Sequence, residues 1–107
     1  MSKEKEIKFS VELDEDDVPI AIHWEASDAH VEGKRACDSL MISMWNKEEK
    51  NALSIDLWTQ GMMIGEMNAY FFLTILKMAD TYERATNSKE IADMIRKFAN
   101  DFADKVD

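Results

Sequence analysis

The chain divides by the period of its apolar positions. In the first half, "EIKFSVEL" alternates strictly: Ile7, Phe9, Val11 and Leu13 fall on one side, and Lys8, Ser10 and Glu12 on the other. A period of two marks a half-buried strand. "DEDDVP" follows, a cluster of turn formers ending in the only proline, Pro19. "IAIHWEA" then alternates again, with Ile20, Ile22, Trp24 and Ala26 on the apolar side. Two such runs joined by a short polar turn predict an antiparallel hairpin. Residues 27–35, "SDAHVEGKR", carry no period and read as a connection. "ACDSLMISMW" predicts a third strand with Leu40, Ile42 and Met44 on one face. "NKEEKN" is a polar loop, and "ALSIDLW" a fourth strand with Leu53, Ile55 and Leu57 inward.

The period then changes. From Met62 onward the apolar positions Met63, Met67, Tyr70, Phe71, Ile75, Met78, Ala79 and Tyr82 recur at spacings of three and four, as on a buried helix face. This helix is expected to reach about Ala85. "ATNSKE" breaks it, and Asn87 with Glu90 three residues on fits a capping box opening a second helix. The stripe of that helix, Ile91, Met94, Ile95, Phe98, Ala99, Phe102, Ala103 and Val106, is expected to be core. The order β-β-β-β-α-α predicts an α+β fold for a single domain over residues 1–107: a four-stranded antiparallel sheet followed by two C-terminal helices packed on one face.

"SIDLWTQGMMIGEM", residues 54–67, sits where the period changes, and its crowding of Asp56, Trp58, two adjacent methionines and two glycines could suggest a small active site or cofactor box. A strand-to-helix corner accounts for the same residues. Ile55 and Leu57 point inward, Gly61 permits the turn, and Met62 or Met63 begins the helix.

Composition narrows the function classes. A chain of 107 residues is the size of one domain, and 46% hydrophobic with 33% charged residues supports a core and a polar surface without suggesting disorder. A net charge of −9 argues against nucleic acid, whose phosphates need clustered Lys and Arg, and against an anionic membrane surface. A basic partner, or none that is charged, fits better. The single Cys37 allows no intrachain disulfide and fits a reducing compartment. With no signal-peptide pattern, no lipidation signal and no run near the roughly 20 apolar residues of a membrane span, the chain reads as cytoplasmic, without direct membrane insertion.

Catalytic chemistry finds little support. "DEDD" at 14–17 lacks the alternate ligand spacing and glycine of a calcium loop and reads as a solvated turn. His23, His30 and Cys37 are the only strong nitrogen and sulfur ligands, at irregular gaps rather than in zinc-type pairs. Cys37 as a nucleophile would need His23 or His30 beside it as a base, and nothing in the sequence supports that placement. Gly33, Gly61 and Gly65 form no phosphate-binding loop. No catalytic, cofactor-binding or metal-ligating residue is therefore assigned, and the chain is expected not to be an enzyme.

The outer face of the sheet carries a different signal. With Leu40, Ile42 and Met44 inward, Met41, Ser43 and Trp45 point outward; Ser54, Asp56 and Trp58 do so on the neighbouring strand, and His23 with Glu25 joins them from strand two. Two tryptophans and a methionine on a face expected to be wet point to a contact surface, the alternative being that the 27–35 connection or the chain termini fold over them. The candidate interaction face is Met41, Trp45, Asp56, Trp58 and His23, open to a protein partner or to a second copy of the chain. Open sheet edges offer a second route. The alternative is a small-ligand carrier or enzyme with an apolar pocket between sheet and helices, lined by Trp24, Tyr70, Phe71 and methionines.

"EIKFSVELDEDDVP", "IDLWT" at 55–59 and "MADTYERAT" at 78–86 together resemble the GldC family of gliding-motility-associated proteins. "MADTYERAT" after an amphipathic helix is the most specific of these elements. "QGMM" at 60–63 departs from the acidic residue and proline expected at that helix start. The resemblance implies a small cytoplasmic bacterial protein associated with gliding, in an accessory or adaptor role toward proteins of the gliding machinery. It brings no catalytic residue and no cofactor.

Overall fold

The computed structural model describes residues 2–27 and 33–107. Five strands precede two helices: β1 Ile7–Leu13, β2 Pro19–Ala26, β3 Arg35–Cys37, β4 Ser39–Asn46, β5 Asn51–Trp58, α1 Ile64–Thr86 and α2 Lys89–Val106. The α+β class and the strands-then-helices order are as the sequence implied. The chain forms two compact units, Met1–Met62 and Met63–Asp107.

The strands do not form one four-stranded sheet. β1, β2 and β3 make a three-stranded antiparallel sheet in that order, and β4 pairs with β5 in a separate two-stranded ribbon. The third predicted strand is split at Asp38. Cys37 sits opposite Ile22, whereas Leu40 sits opposite Leu57. These inward positions are three residues apart, so the period of two slips and the chain passes from one sheet to the next.

The β1–β2 hairpin forms in the expected register, with Phe9 opposite Trp24 and Val11 opposite Ile22. Its turn is built from the acidic cluster. The Asp14 Oδ1 accepts from the backbone N–H groups of Asp16 and Val18, and Asp17 adopts a left-handed φ of 61°. Aspartate side chains commonly organise turns in this way. In the β4–β5 turn, Asn46 Oδ1 accepts from the N–H groups of Glu48 and Glu49.

Burial in this unit centres on Ile22 and Leu40, joined by the polar Thr59. Thr59 donates its N–H to the carbonyl of Asp38 at 2.9 Å, and Gln60 donates to that of Pro19 at 3.1 Å. Ser39 Oγ donates to the Leu57 carbonyl at 2.9 Å. The expected inward rows are only partly covered: Ile7, Phe9 and Leu13 on β1, and Met44, Leu53 and Ile55 on the ribbon, are exposed.

In the second unit, α1 ends at Asn87, whose φ of 58° is left-handed and whose N–H reaches the Glu83 carbonyl. The cap of α2 is Ser88, not Asn87: its side chain accepts from the N–H of Ile91 at 3.4 Å. Asn87 is taken up by closing α1, since asparagine tolerates the left-handed conformation that ends a helix.

The helices meet through small residues, Ala79 on α1 and Ala92 and Ala99 on α2, all fully buried. Alanines allow close approach, so the larger side chains fall to the sides of the contact. One flank carries Phe71, stacked on Phe102 with centroids 6.4 Å apart. The helical period places Met78, Ile91, Met94 and Phe98 on the same flank. The stripe of α2 is therefore not all core: Met94 is 67% and Phe98 60% exposed. The other flank is ionic. Arg96 donates to Asp93 at 2.7 Å, Glu83 at 2.8 Å and Asp80 at 2.9 Å.

Candidate functional site

The β4–β5 register places Met41 opposite Asp56, Ser43 opposite Ser54, Trp45 opposite Ala52 and Ser39 opposite Trp58. Leu40, Ile42 and Met44 alternate to the other face, opposite Leu57, Ile55 and Leu53. Met41, Trp45, Asp56 and Trp58 thus share one face of a twisted ribbon, and the two indoles lie toward its opposite ends. Trp45 is 67% and Trp58 56% exposed, with Met41 beside them also exposed. His23 is not brought to this face by strand pairing. It lies in the other sheet, between Ser10 and Ala36, and is half-buried. The split at Asp38 separates it from the ribbon.

The ribbon is flanked by a hollow that the alternation of residues does not reveal. Val18, Pro19, Asp56, Leu57, Trp58 and Gln60 enclose about 320 Å³ of open space. The Gln60–Pro19 hydrogen bond holds its two walls together, one from the start of β2 and one from the end of β5. Asp56 Oδ2 accepts from Ser54 Oγ at 3.3 Å, which orients the carboxylate along the strand face. The signal for this hollow was the tight turn at Pro19 combined with a chain crossing that only tertiary structure supplies.

The corner after β5 is structural. Met62 donates its N–H to the Thr59 carbonyl at 3.1 Å, and Glu66 Oε1 accepts from the Met63 N–H at 3.1 Å at the start of α1. Left-handed backbone occurs at Asp17, Gly33, Lys50 and Asn87 but not at Gly61, and a Cβ on Gly61 would meet nothing within 4 Å. The turn does not need glycine, contrary to the expectation.

Cys37 is half-buried, and its thiol is pushed above its usual value, first by burial and then by the Asp38 charge, against a hydrogen bond from the Ser39 backbone. Such a thiol is a poor nucleophile at neutral pH. His30 lies outside the described residues. Among the described residues no three His, Cys, Asp or Glu side chains converge in a group that could hold a metal ion. No described helix is long and apolar enough to cross a membrane.

No significant match is found among curated proteins or among solved structures. A family model described as gliding motility-associated protein GldC-like matches residues 19–107. That range takes in the ribbon, both helices and the stretches "IDLWT" and "MADTYERAT", while β1 and its acidic turn precede it. With most of its length matched, the chain belongs to the GldC-like family of gliding motility-associated proteins.

Proposed function

We propose that this protein is a non-enzymatic accessory or adaptor of bacterial gliding motility, acting in the cytoplasm through protein–protein contact at the ribbon face of Met41, Trp45, Asp56 and Trp58. The observation that carries this reading is the pair of tryptophans, each more than half exposed on one strand face. Indole rings left in water forgo a large burial energy, and aromatic residues and methionine are enriched where proteins bind one another. The family supplies the process, and the face supplies the means.

The test is capture of partners from gliding cells by the wild-type chain and by a Trp45→Ala/Trp58→Ala variant, with folding checked by circular dichroism. The reading expects a component of the motility machinery to be lost from the folded variant, and cell spreading to be restored by the wild type alone. Equal capture and equal spreading by the two chains would reject it.

A further inference from the structure

The hollow beside Trp58 restricts what that partner carries. Its walls combine an indole, the aliphatic surfaces of Val18, Pro19 and Leu57, and a single ionised group, Asp56. The two stretches that build it are charged with one sign. Residues 9–22 contain Glu12, Asp14, Glu15, Asp16 and Asp17 without a Lys or Arg, and residues 51–62 contain Asp56, again without a base. The acidic turn leads directly into Val18 and is pinned by Asp14, whose carboxylate accepts from the Val18 N–H. An anionic ligand, a nucleic acid or an acidic membrane surface would meet repulsion here. At about 320 Å³ and open to solvent, the hollow is at the small end of the ligand-pocket scale, suited to side chains projecting from an extended segment.

We infer that this hollow binds a short segment of a protein partner in which an arginine or lysine stands beside an apolar residue. The cation stacks on the Trp58 indole and pairs with the Asp56 carboxylate, while the apolar neighbour packs against Val18 and Pro19. The indole is the aromatic ring that attracts cations most strongly, and a guanidinium can meet a carboxylate and an aromatic face together. Ser54 occupies one lone pair of Asp56 and leaves acceptor capacity for a bidentate donor. The inference rests on the interaction reading above and specifies its partner.

The experiment is a fluorescence-anisotropy titration of the full chain with three labelled peptides: one alternating arginine and leucine, one alternating glutamate and leucine, and one alternating arginine and glycine. The arginine–leucine peptide is expected to bind most tightly, in a salt-sensitive way. Asp56→Asn and, separately, Trp58→Ala should each weaken it about tenfold with the fold intact. Failure of the arginine–leucine peptide to bind up to millimolar concentration overturns the assignment. So does equal binding of the glutamate–leucine peptide, or indifference to Asp56→Asn. Self-association that Asp56→Asn abolishes would make a second copy the occupant and would also overturn it.

Capture from cells separates the two levels. A motility component lost on Trp45→Ala/Trp58→Ala but retained by Asp56→Asn leaves the docking face standing and removes the cationic assignment. A component retained by all variants removes the docking face and this inference with it.

Discussion

Gln60 donates its backbone N–H to the carbonyl of Pro19 at 3.1 Å, although 41 positions separate them in the chain. This bond ties the end of β5 to the start of β2 and brings Trp58 beside Val18. Its neighbour, the bond from Thr59 to Asp38, secures the same end of the ribbon where the burial of Ile22 and Leu40 is concentrated.

Stability and exposure should therefore separate cleanly in the strand unit. Trp58→Ala is expected to cost under about 1 kcal/mol, as exposed substitutions do. Ile22→Ala, at the most buried large side chain, should cost about 2–5 kcal/mol. Urea unfolding followed by circular dichroism measures both, and a Trp58→Ala loss as large as that of Ile22→Ala would show the indole to be packing.

The alanine contact between the helices leaves no room for a larger side chain. Ala99→Leu should destabilise the helical unit by about 1–3 kcal/mol through overpacking, visible as an earlier loss of helicity on heating. Ala85→Leu, at an exposed position of α1, should leave that transition in place.

Asn87 holds a left-handed backbone between the helices. Asn87→Gly should be tolerated, whereas Asn87→Ala should cost about 1 kcal/mol, because a Cβ without a compensating polar group disfavours that conformation. Thermal melts of the three chains compare them directly.

The ionic flank sets a pH dependence. The Lys89 ammonium, and then the Arg96 guanidinium, hold the Asp93 carboxyl below its usual range, while three carboxylates hold Arg96 protonated at any accessible pH. A depressed carboxyl stabilises the fold fully above its unfolded pKa of about 3.9. That contribution disappears as the pH falls below this value toward the folded pKa. Helix stability measured between about pH 6 and about pH 3 should fall more steeply in wild type than in Asp93→Asn.

Cys37 offers a check on the strand unit. Burial and the Asp38 charge keep its thiol protonated, so iodoacetamide at neutral pH should label it much more slowly in the native chain than in urea. Equal rates would mean that Cys37 is not held as described.

Much of this architecture was legible in residue periodicity. The β1–β2 hairpin, the ribbon face that pairs Met41 with Asp56, and both helices follow from spacings of two and of three to four. The sheet division at Asp38 is hard to read because Asp38 and Ser39 interrupt the run from Ala36 to Trp45 only briefly, and a strand that alternates polar and apolar residues tolerates such positions, which hides the three-residue gap between Cys37 and Leu40. The cap at Ser88 was missed because Asn87 is an equally good candidate until the left-handed closure of α1 claims it. The exposed flank of α2 was read as core because an apolar stripe does not reveal which half of it a neighbouring alanine contact will use. The hollow at Trp58 depended on a contact between Gln60 and Pro19 that no local pattern encodes.

That alanine seam gives the helical unit a directional character. Because the seam is made by the smallest side chains, the pair presents two unlike flanks, an apolar one of phenylalanines and methionines that stands exposed to water and an ionic one locked by Arg96. Water solvates the ionic flank well and the apolar flank poorly, so the pair carries a built-in sense of up and down.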